Sequence, residues 1–234
     1  MKTRVAVVTA HPDDAEIYAG GLIAAYSQMD IGVHIIIASN GDKGGALPAK
    51  TLSALRVDEA KAGAKKLRAE VHFLGLPDGG LDDCANLSSL IGSAFSHISP
   101  DLILAHHPQD YHADHRAVAE AARMAASFRA PVAWLDTMMG VATNPTHYID
   151  TTAHQEIKRS AILCHATQDP QRFLERAQLL GKFRAAQCGH DGYAEAIEHD
   201  PTYPFCDIRD LLPPPPPVKP ITDRSAQANA NWKK

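Results

Sequence analysis

The residues best suited to chemistry form two clusters about a hundred positions apart. The first is His11-Pro12-Asp13-Asp14, which combines one imidazole with two carboxylates. The second is His112-Ala113-Asp114-His115, which adds two imidazoles and a third carboxylate. Two imidazoles and one carboxylate are the ligand set of a catalytic zinc site with an open position, and they also suit Fe²⁺, Mn²⁺ or Co²⁺. Because a neighbouring carboxylate or imidazole can move a proton, the two clusters together predict metal-assisted hydrolysis.

Each cluster also has a simpler interpretation. Asp13 or Asp14 could serve only as the N-cap of a following helix. His11 could be an ordinary loop histidine, and His106 and His107, beside the second cluster, are expected to be structural rather than ligands. Since short motifs match by chance, the metal hypothesis depends on the two clusters meeting in the fold.

The elements around the clusters predict how they would meet. The apolar run that begins at Val5 predicts a buried strand that ends near His11, because Pro12 disfavours helical geometry in the residue before it. Four further strands are predicted at Val33–Ser39, Glu70–Leu74, Asp101–Ala105 and Val132–Leu135. The helices predicted between them are Ala15–Met29, Lys50–Leu67, Asn86–Ile98 and Arg116–Phe128. This alternation predicts an α/β fold, a mostly parallel sheet with helices on both faces and the strand order 3-2-1-4-5.

That order gives the polar clusters a common location. Ligands of doubly wound sheets bind beyond the carboxyl ends of the strands, where the strand order reverses. Here the crevice would open between the first and fourth strands, which the two clusters follow. Asp42 and Asp78 lie in the loops after the second and third strands, on the same rim. The glycine-rich loop 40–45 lacks the G-x-G-x-x-G spacing, so a dinucleotide site is excluded.

The C-terminal third predicts an extension of this sheet. Thr152–Cys164 and Gln171–Cys188 are expected to be helical, and they complete a single domain over residues 1–205. Residues 206–234 are expected to form a loosely ordered, proline-rich tail, with Pro213–Pro217 extended and Ile221–Lys234 polar. His190, Asp191 and His199 form a late polar group. A second hypothesis is that this group closes over the site from a neighbouring loop.

Composition limits the class of protein and its partners. The chain has 234 residues and a formal net charge of -4, so no basic surface argues for nucleic acid. It has no apolar stretch long enough to span a membrane and no typical signal peptide. Its four cysteines are widely spaced, which favours free thiols in a reducing compartment. We therefore expect a cytoplasmic protein, with the long late helices as candidate interfaces of a homo-oligomer.

The two clusters resemble the signatures of a known family. Ala10-His11-Pro12-Asp13-Asp14 followed by Glu16, together with His112-Ala113-Asp114-His115, resembles the paired motifs of the LmbE-like (PIG-L) deacetylases. Ala15 is a small departure, since the family often has Glu directly after the second Asp. The likeness runs from Val5 to about Phe205, through the following segments: Asn40-Gly41-Asp42, Arg56 with Glu59, Asp78-Gly79 and, more faintly, His165 with Gln168 and Tyr193-Ala194-Glu195.

The resemblance implies a role for each matching residue. It implies that His11, Asp14 and His115 hold a metal, normally zinc. Asp13 would be the general base, His112 would face the tetrahedral intermediate, and Asp114 would stand behind it. The sugar pocket would be lined by Asp42, Arg56 and Asp78. Family members usually have a Rossmann-like fold, often form oligomers and remove acetyl groups from N-acetylglucosamine units.

Three functions follow as expectations. The first is a zinc-dependent hydrolase that releases acetate from a small N-acetylated amino sugar. The second is an amidase for a different amide, such as a sugar-thiol conjugate. The third is a non-catalytic protein that binds sugar or metal, although a binding site would not require the base Asp13. Aromatic residues make up only 6% of the chain, which favours a small substrate over a polymer.

Overall fold

The computed structural model describes residues 3–217 and contains one seven-stranded sheet. The strands are β1 (Arg4–Thr9), β2 (Gly32–Ser39), β3 (Glu70–Leu76), β4 (Leu102–Ala105), β5 (Val132–Leu135), β6 (His147–Asp150) and β7 (Ala194–His199). The α-helices are α1 (Asp14–Gln28), α2 (Ala49–Leu67), α3 (Leu87–Ile98), α4 (Ala113–Ala126), α5 (Gln155–Ile162) and α6 (Pro170–Gln187). The mixed α/β class and the C-terminal helical extension predicted from the sequence are confirmed.

The strand order is β3-β2-β1-β4-β5-β7-β6. The first five strands are parallel and follow the predicted order 3-2-1-4-5, with Val5 beside Val33 on one side and Leu102 on the other. β7 and β6 extend the sheet in antiparallel pairs and were not predicted. Both are short, and β6 has four residues with only one fully buried, so neither shows a strong alternating pattern.

Alternation along β1 divides the core between the two faces of the sheet. Val5 and Val7 are buried with residues of α1 and α2 on one face. Ala6 and Val8 are buried with residues of α3 and α4 on the other. Strands buried on both faces are typical of parallel sheets, and this explains why β1 is apolar at every position from Val5 to Val8. The carboxyl end of β1 is therefore fixed from both sides.

The segment 206–217 packs against the core. The side chains of Ile208 and Leu212 are buried with residues of β1 and α1, and the Tyr26 hydroxyl donates to the Leu211 carbonyl at 2.8 Å. The Asp150 amide donates to the Pro214 carbonyl at 3.0 Å. The first part of the expected proline-rich tail thus contributes apolar surface to the domain. The segment Ile221–Lys234 lies outside the described residues.

None of the helices within residues 3–217 has both the length and the apolar composition needed to cross a bilayer.

Candidate active site

The structure brings the two polar clusters together at the carboxyl ends of adjacent strands. Val8 of β1 pairs with Ala105 of β4, so the chain leaves both strands at the same edge. His11, Asp13 and Asp14 lie where β1 turns into α1, and His112 to His115 form the start of α4. α4 begins at Ala113, earlier than the predicted Arg116, because His112 caps the helix and its Nδ1 accepts from the Asp114 amide at 3.2 Å.

His11, Asp14 and His115 form a buried group whose ligand atoms lie within 4.8 Å of one another. His11 Nδ1 is 3.3 Å from Asp14 Oδ2, and His115 Nε2 is 3.5 Å from Asp14 Oδ1. All three residues line one open cavity. Two imidazoles and a carboxylate that converge on accessible space can hold a divalent metal and leave a position for water or substrate.

The second nitrogen of each histidine lies beside a carboxylate. His11 Nε2 is 3.1 Å from Asp78 Oδ1 and 3.2 Å from Asp114 Oδ2. His115 Nδ1 is 3.1 Å from Asp110 Oδ2. Such outer contacts fix the orientation of metal-binding histidines and make the free nitrogen a better ligand. The chemistry of the donor set therefore fits a metal held by His11, Asp14 and His115.

The charge of the site also fits a cation. Burial lowers the pKa of His11, but Asp114, Asp14 and Asp78 outweigh it and raise the value to about 12. His115 responds in the same way, since Asp14 and Asp110 overcome burial and raise its pKa to about 9. The carboxylates around His11 and His115 therefore favour a positive charge at these two imidazoles, whereas burial and His115 lower the pKa of the adjacent His106 to about 4. A divalent ion would supply such a positive charge.

A second group, His106 with Asp110 and His115, overlaps the first. The His106 ring stacks on His115 with a centroid distance of 3.7 Å, and its Nε2 lies 3.1 Å from Asp14 Oδ2. His106 does not line the cavity. It therefore packs behind two of the candidate ligands, Asp14 and His115, whereas the first group faces the space that a substrate would enter. His107 pairs with Glu198 of β7 at 3.2 Å.

Asp13 occupies the N-cap position of α1 but makes no capping bond with its side chain. Its φ of 124° is a conformation that residues other than glycine rarely adopt, and such strain often marks functional sites. Burial and the charge of Asp14 raise the pKa of Asp13 to about 7, against the opposing effect of Arg56. A carboxylate with this pKa is suited to take a proton near neutral pH. N-capping alone does not explain its position.

Arg56 of α2 holds Asp13 in place. The Arg56 guanidinium lies 3.2 Å from Asp13 Oδ1 and donates to the carbonyls of Pro12 and Gly41 at 2.7 and 3.1 Å. Arg56 does not pair with Glu59 of the same helix. Glu59 instead accepts from the amide and hydroxyl of Thr167 at 2.9 and 2.7 Å.

The remaining residues predicted to be functional form a support around His11. The Asp114 carboxylate accepts from the amides of Gly79 and Leu81 at 2.7 and 3.1 Å, in addition to its contact with His11. Asp114 contacts His112 through its backbone amide, which donates to His112 Nδ1. Asp78 lines the cavity, and Asp42 lies one step further out, where it accepts from the Asp78 amide at 2.9 Å.

The cavity has a volume of about 430 Å³. Several of its lining residues were not among the functional residues predicted from the sequence. Asp110 could have been recognised, since it lies between His106-His107 and the second cluster. Other lining residues come from α1, from the segment after β5, from the short helix before α6 and from α6 itself. They are Ile17, Tyr18, Met138, Gln168, Phe173 and Arg176. Gln168 belongs to the faint likeness at His165 and Gln168, whereas no local sequence pattern distinguishes the other five residues from surface or core positions.

The late polar group does not reach the cavity. His190 contacts Thr152 and Asp150 at 3.0 and 3.6 Å, and His199 is paired with Ala133 in the sheet. Neither these two histidines nor Asp191 is among the residues that line the cavity.

The geometry agrees with the result of a family comparison. The PIG-L family, described as GlcNAc-PI de-N-acetylase, matches residues 6–126, which is more than half of the chain and contains both clusters. The chain therefore belongs to the PIG-L family, as the resemblance of its motifs implied.

Individual relatives of the chain are enzymes of two kinds. It is 31% identical over 131 residues to a probable N-acetyl-α-D-glucosaminyl L-malate deacetylase of Bacillus subtilis, covering 52% of this chain and 59% of the relative. It is 27% identical over 118 residues to 4-oxalmesaconate hydratase of Pseudomonas putida. This match covers 47% of this chain and 46% of the relative. The chain thus spans about half the length of the curated relatives it matches.

Solved structures of the same two kinds share the fold. The 4-carboxy-2-hydroxymuconate hydratase of Pseudomonas putida superposes with a TM-score of 0.73 at 24% identity, covering 85% of this chain and 96% of that one. The N,N'-diacetylchitobiose deacetylase of Pyrococcus horikoshii superposes with a TM-score of 0.72 at 22% identity. The superposition covers 90% of this chain and 89% of that one. The fold alone therefore does not distinguish a deacetylase from a hydratase.

Proposed function

We propose that this chain is a metal-dependent hydrolase that removes the N-acetyl group from a small amino sugar of the N-acetylglucosamine type and releases acetate. We expect the metal to be zinc. One observation supports this most strongly: a buried carboxylate with a raised pKa, Asp13, lies in one open cavity with His11, Asp14 and His115. A binding site for sugar or metal would not require that base.

A divalent metal on His11, Asp14 and His115 would supply Lewis acidity to the acyl oxygen and to the attacking water. In the proposed reaction Asp13 takes a proton from that water, whose oxygen forms the new bond to the acyl carbon. The C–N bond of the amide breaks, and the products are acetate and a free amine. Arg56 keeps Asp13 in position and favours its charged form.

We propose that Asp13 passes the proton it took from water to the departing amine, and that His112 faces the tetrahedral intermediate and donates a hydrogen bond to it from Nε2–H. His112 Nδ1 is occupied by the Asp114 amide, which leaves Nε2 for the cavity that the ring lines. The His112 ring lies 4.8 Å, centroid to centroid, from both His11 and His115, so it is next to the proposed metal position. Of the predicted sugar-binding residues, Asp78 and Arg56 line the cavity, whereas we assign Asp42 the role of holding the Asp78 loop.

A hydratase is the second candidate, because relatives of that class match this chain over a similar length. A metal and a carboxylate base could also add water across a carbon–carbon double bond. We favour the deacetylase because the deacetylase relative from Bacillus subtilis is more similar, 31% against 27% identity, and is matched over more of its length, 59% against 46%. A cytoplasmic location and a homo-oligomeric state stay predictions.

The test is acetate release measured on protein whose metal content is determined in the same sample. The panel contains N-acetylglucosamine, its disaccharide, an N-acetylglucosaminyl inositol and an N-acetylated sugar-thiol conjugate. A further arm follows the consumption of 4-oxalmesaconate. Metal-dependent acetate release that Asp13→Asn abolishes supports the proposal. Consumption of 4-oxalmesaconate without any acetate release would transfer the assignment to the hydratase, and failure to bind metal would overturn both.

A further inference from the structure

The cavity has two walls of different origin. The metal-binding residues, Asp13, Arg56 and Asp78 lie within residues 6–126, which the family has in common. The second wall comes from the later part of the chain and consists of Met138, Gln168, Phe173 and Arg176, and Gln168 joins the two walls by donating to the Gly44 carbonyl at 3.0 Å. The first wall carries the groups that would break the amide. The second wall is therefore the place where this chain would select the rest of its substrate.

The second wall carries one cation that the protein does not use. Arg176 is exposed on α6, one turn after Phe173, and lines the cavity. Across residues 3–217 it has no ion pair or hydrogen bond, whereas Arg172 on the same helix pairs with Asp169 at 3.8 Å. Arg56 is buried, and its two terminal nitrogens already contact Asp13 and two carbonyls. Of the two arginines that line this cavity, Arg176 is the exposed one without an ion pair among the described residues.

Charge is distributed unevenly along the cavity. Four carboxylates line the catalytic end, from Asp13, Asp14, Asp78 and Asp110. The wall around Arg176 has no acidic side chain among its lining residues and is mainly apolar, with Met138 and Phe173. A divalent ion and Arg56 would offset part of the negative charge at the catalytic end, whereas no acidic lining residue of the second wall offsets Arg176, so an anionic group would be attracted to this guanidinium. A substrate with one anionic end would therefore enter in one orientation, with its amide toward Asp13.

We propose that Arg176 binds a carboxylate or phosphate carried by the substrate on the part remote from the amide, so that the preferred substrate is an anionic N-acetylated amino sugar. This assignment rests on the proposed function and names the substrate class for the same cavity. A guanidinium makes two parallel hydrogen bonds with either group, which gives both affinity and orientation. Arg176 is in this respect a specificity-determining residue.

The experiment compares three glycosides of N-acetylglucosamine: the methyl glycoside, the carboxymethyl glycoside and the 1-phosphate. Affinity is measured by calorimetry on the metal-loaded protein, and acetate release is measured separately. The wild type is expected to bind the two anionic compounds about tenfold more tightly than the methyl glycoside, the usual effect of a hydrogen bond to a charged group. A difference between the carboxylate and the phosphate identifies which anion the site prefers.

Arg176→Ala should remove this preference by raising KM for the anionic compounds about tenfold, with kcat and the neutral glycoside little changed. Arg123→Ala is the matched control, since Arg123 is an exposed arginine that pairs with Glu120 and does not line the cavity. Equal binding of neutral and anionic glycosides by the wild type would overturn the inference, whether or not acetate is released. An anionic preference that depends on Arg176, without acetate release, would sustain the inference and overturn the proposed deacetylase.

Discussion

The Arg56 guanidinium lies 3.2 Å from the Asp13 carboxylate, and both side chains are buried. Arg56→Ala should reduce kcat/KM by about ten- to a hundredfold, because Asp13 would then lose the positive charge that lowers its pKa and favours its basic form. The free energy of unfolding should also fall by about 3 kcal/mol, the usual cost of removing one partner of a buried ion pair.

The measurements are kcat/KM and the urea midpoint. Arg56→Lys is the matched variant, since it keeps the charge but cannot reproduce both bonds to the Pro12 and Gly41 carbonyls. It should recover part of the activity lost in Arg56→Ala. Unchanged activity in Arg56→Ala would contradict the role assigned to the pair.

Asp13→Asn should leave the metal bound and reduce kcat by about 10²- to 10⁴-fold, the typical contribution of a general base. Asn has the same shape but accepts no proton at neutral pH. Metal content and acetate release are measured on one preparation. Deacetylation at the wild-type rate would remove Asp13 from the mechanism, whereas loss of the metal would make it a ligand.

The pH profile of kcat/KM should show an acid limb that belongs to Asp13. Burial and Asp14 raise the pKa of Asp13 to about 7, and the base works only when it is deprotonated. Activity should therefore fall as the pH falls through this pKa. A divalent ion nearby would favour the charged carboxylate and so lower the pKa of Asp13 toward the ordinary value for Asp. The acid limb should therefore appear at a pH between about 4 and about 7. Arg56→Lys should move the limb less than Arg56→Ala does, and a profile with no acid limb would exclude Asp13 as the base.

Local sequence was sufficient for the central part of this structure. β1 is apolar from Val5 to Val8 and β4 is apolar throughout, because both strands are buried on both faces, and a histidine-containing polar segment follows each strand. Strand order then follows from general rules of α/β topology, and it brings the two clusters to one crevice. Each step depends on residues close together in the chain.

The second wall of the cavity could not be predicted in this way. Its position depends on how α6 packs against the segment after β5, where Arg184 forms a buried bidentate pair with Asp136. These two residues are 48 positions apart, and neither belongs to a recognisable motif. β7 is equally non-local, since it reaches β5 only after two helices have intervened. Arg176 therefore looks like any surface arginine until the fold is known.

His115→Ala should weaken metal binding by more than about a hundredfold, because loss of a direct ligand costs more than loss of the groups that support it. Bound zinc is measured after dialysis against a weak chelator. His107→Ala is the control, since His107 lies in the same stretch but pairs with Glu198 away from the cavity. Full metal occupancy in His115→Ala, or equal losses in both variants, would refute the ligand assignment.

Gly63→Ala should destabilise the protein by about 1–3 kcal/mol, the usual cost of overpacking. A Cβ at Gly63 would clash with Glu16 Oε1 and lie 3.2 Å from His165 Nε2. Glu16 and His165 form a buried pair whose oxygen and nitrogen are 3.4 Å apart. The charge of His165 lowers the pKa of Asp13, so displacing this pair should also reduce kcat/KM.

Gly92→Ala is the matched control for this prediction. Gly92 also lies inside a helix, but the nearest atom to its added Cβ is the Ala125 Cβ at 3.9 Å, an ordinary contact. Alanine should therefore stabilise the fold by up to about 1 kcal/mol through its better helix propensity, with activity unchanged. Thermal unfolding and kcat/KM are measured for both variants. If the two substitutions behave alike, Gly63 is not required for the close approach of Glu16 and His165 behind Asp13.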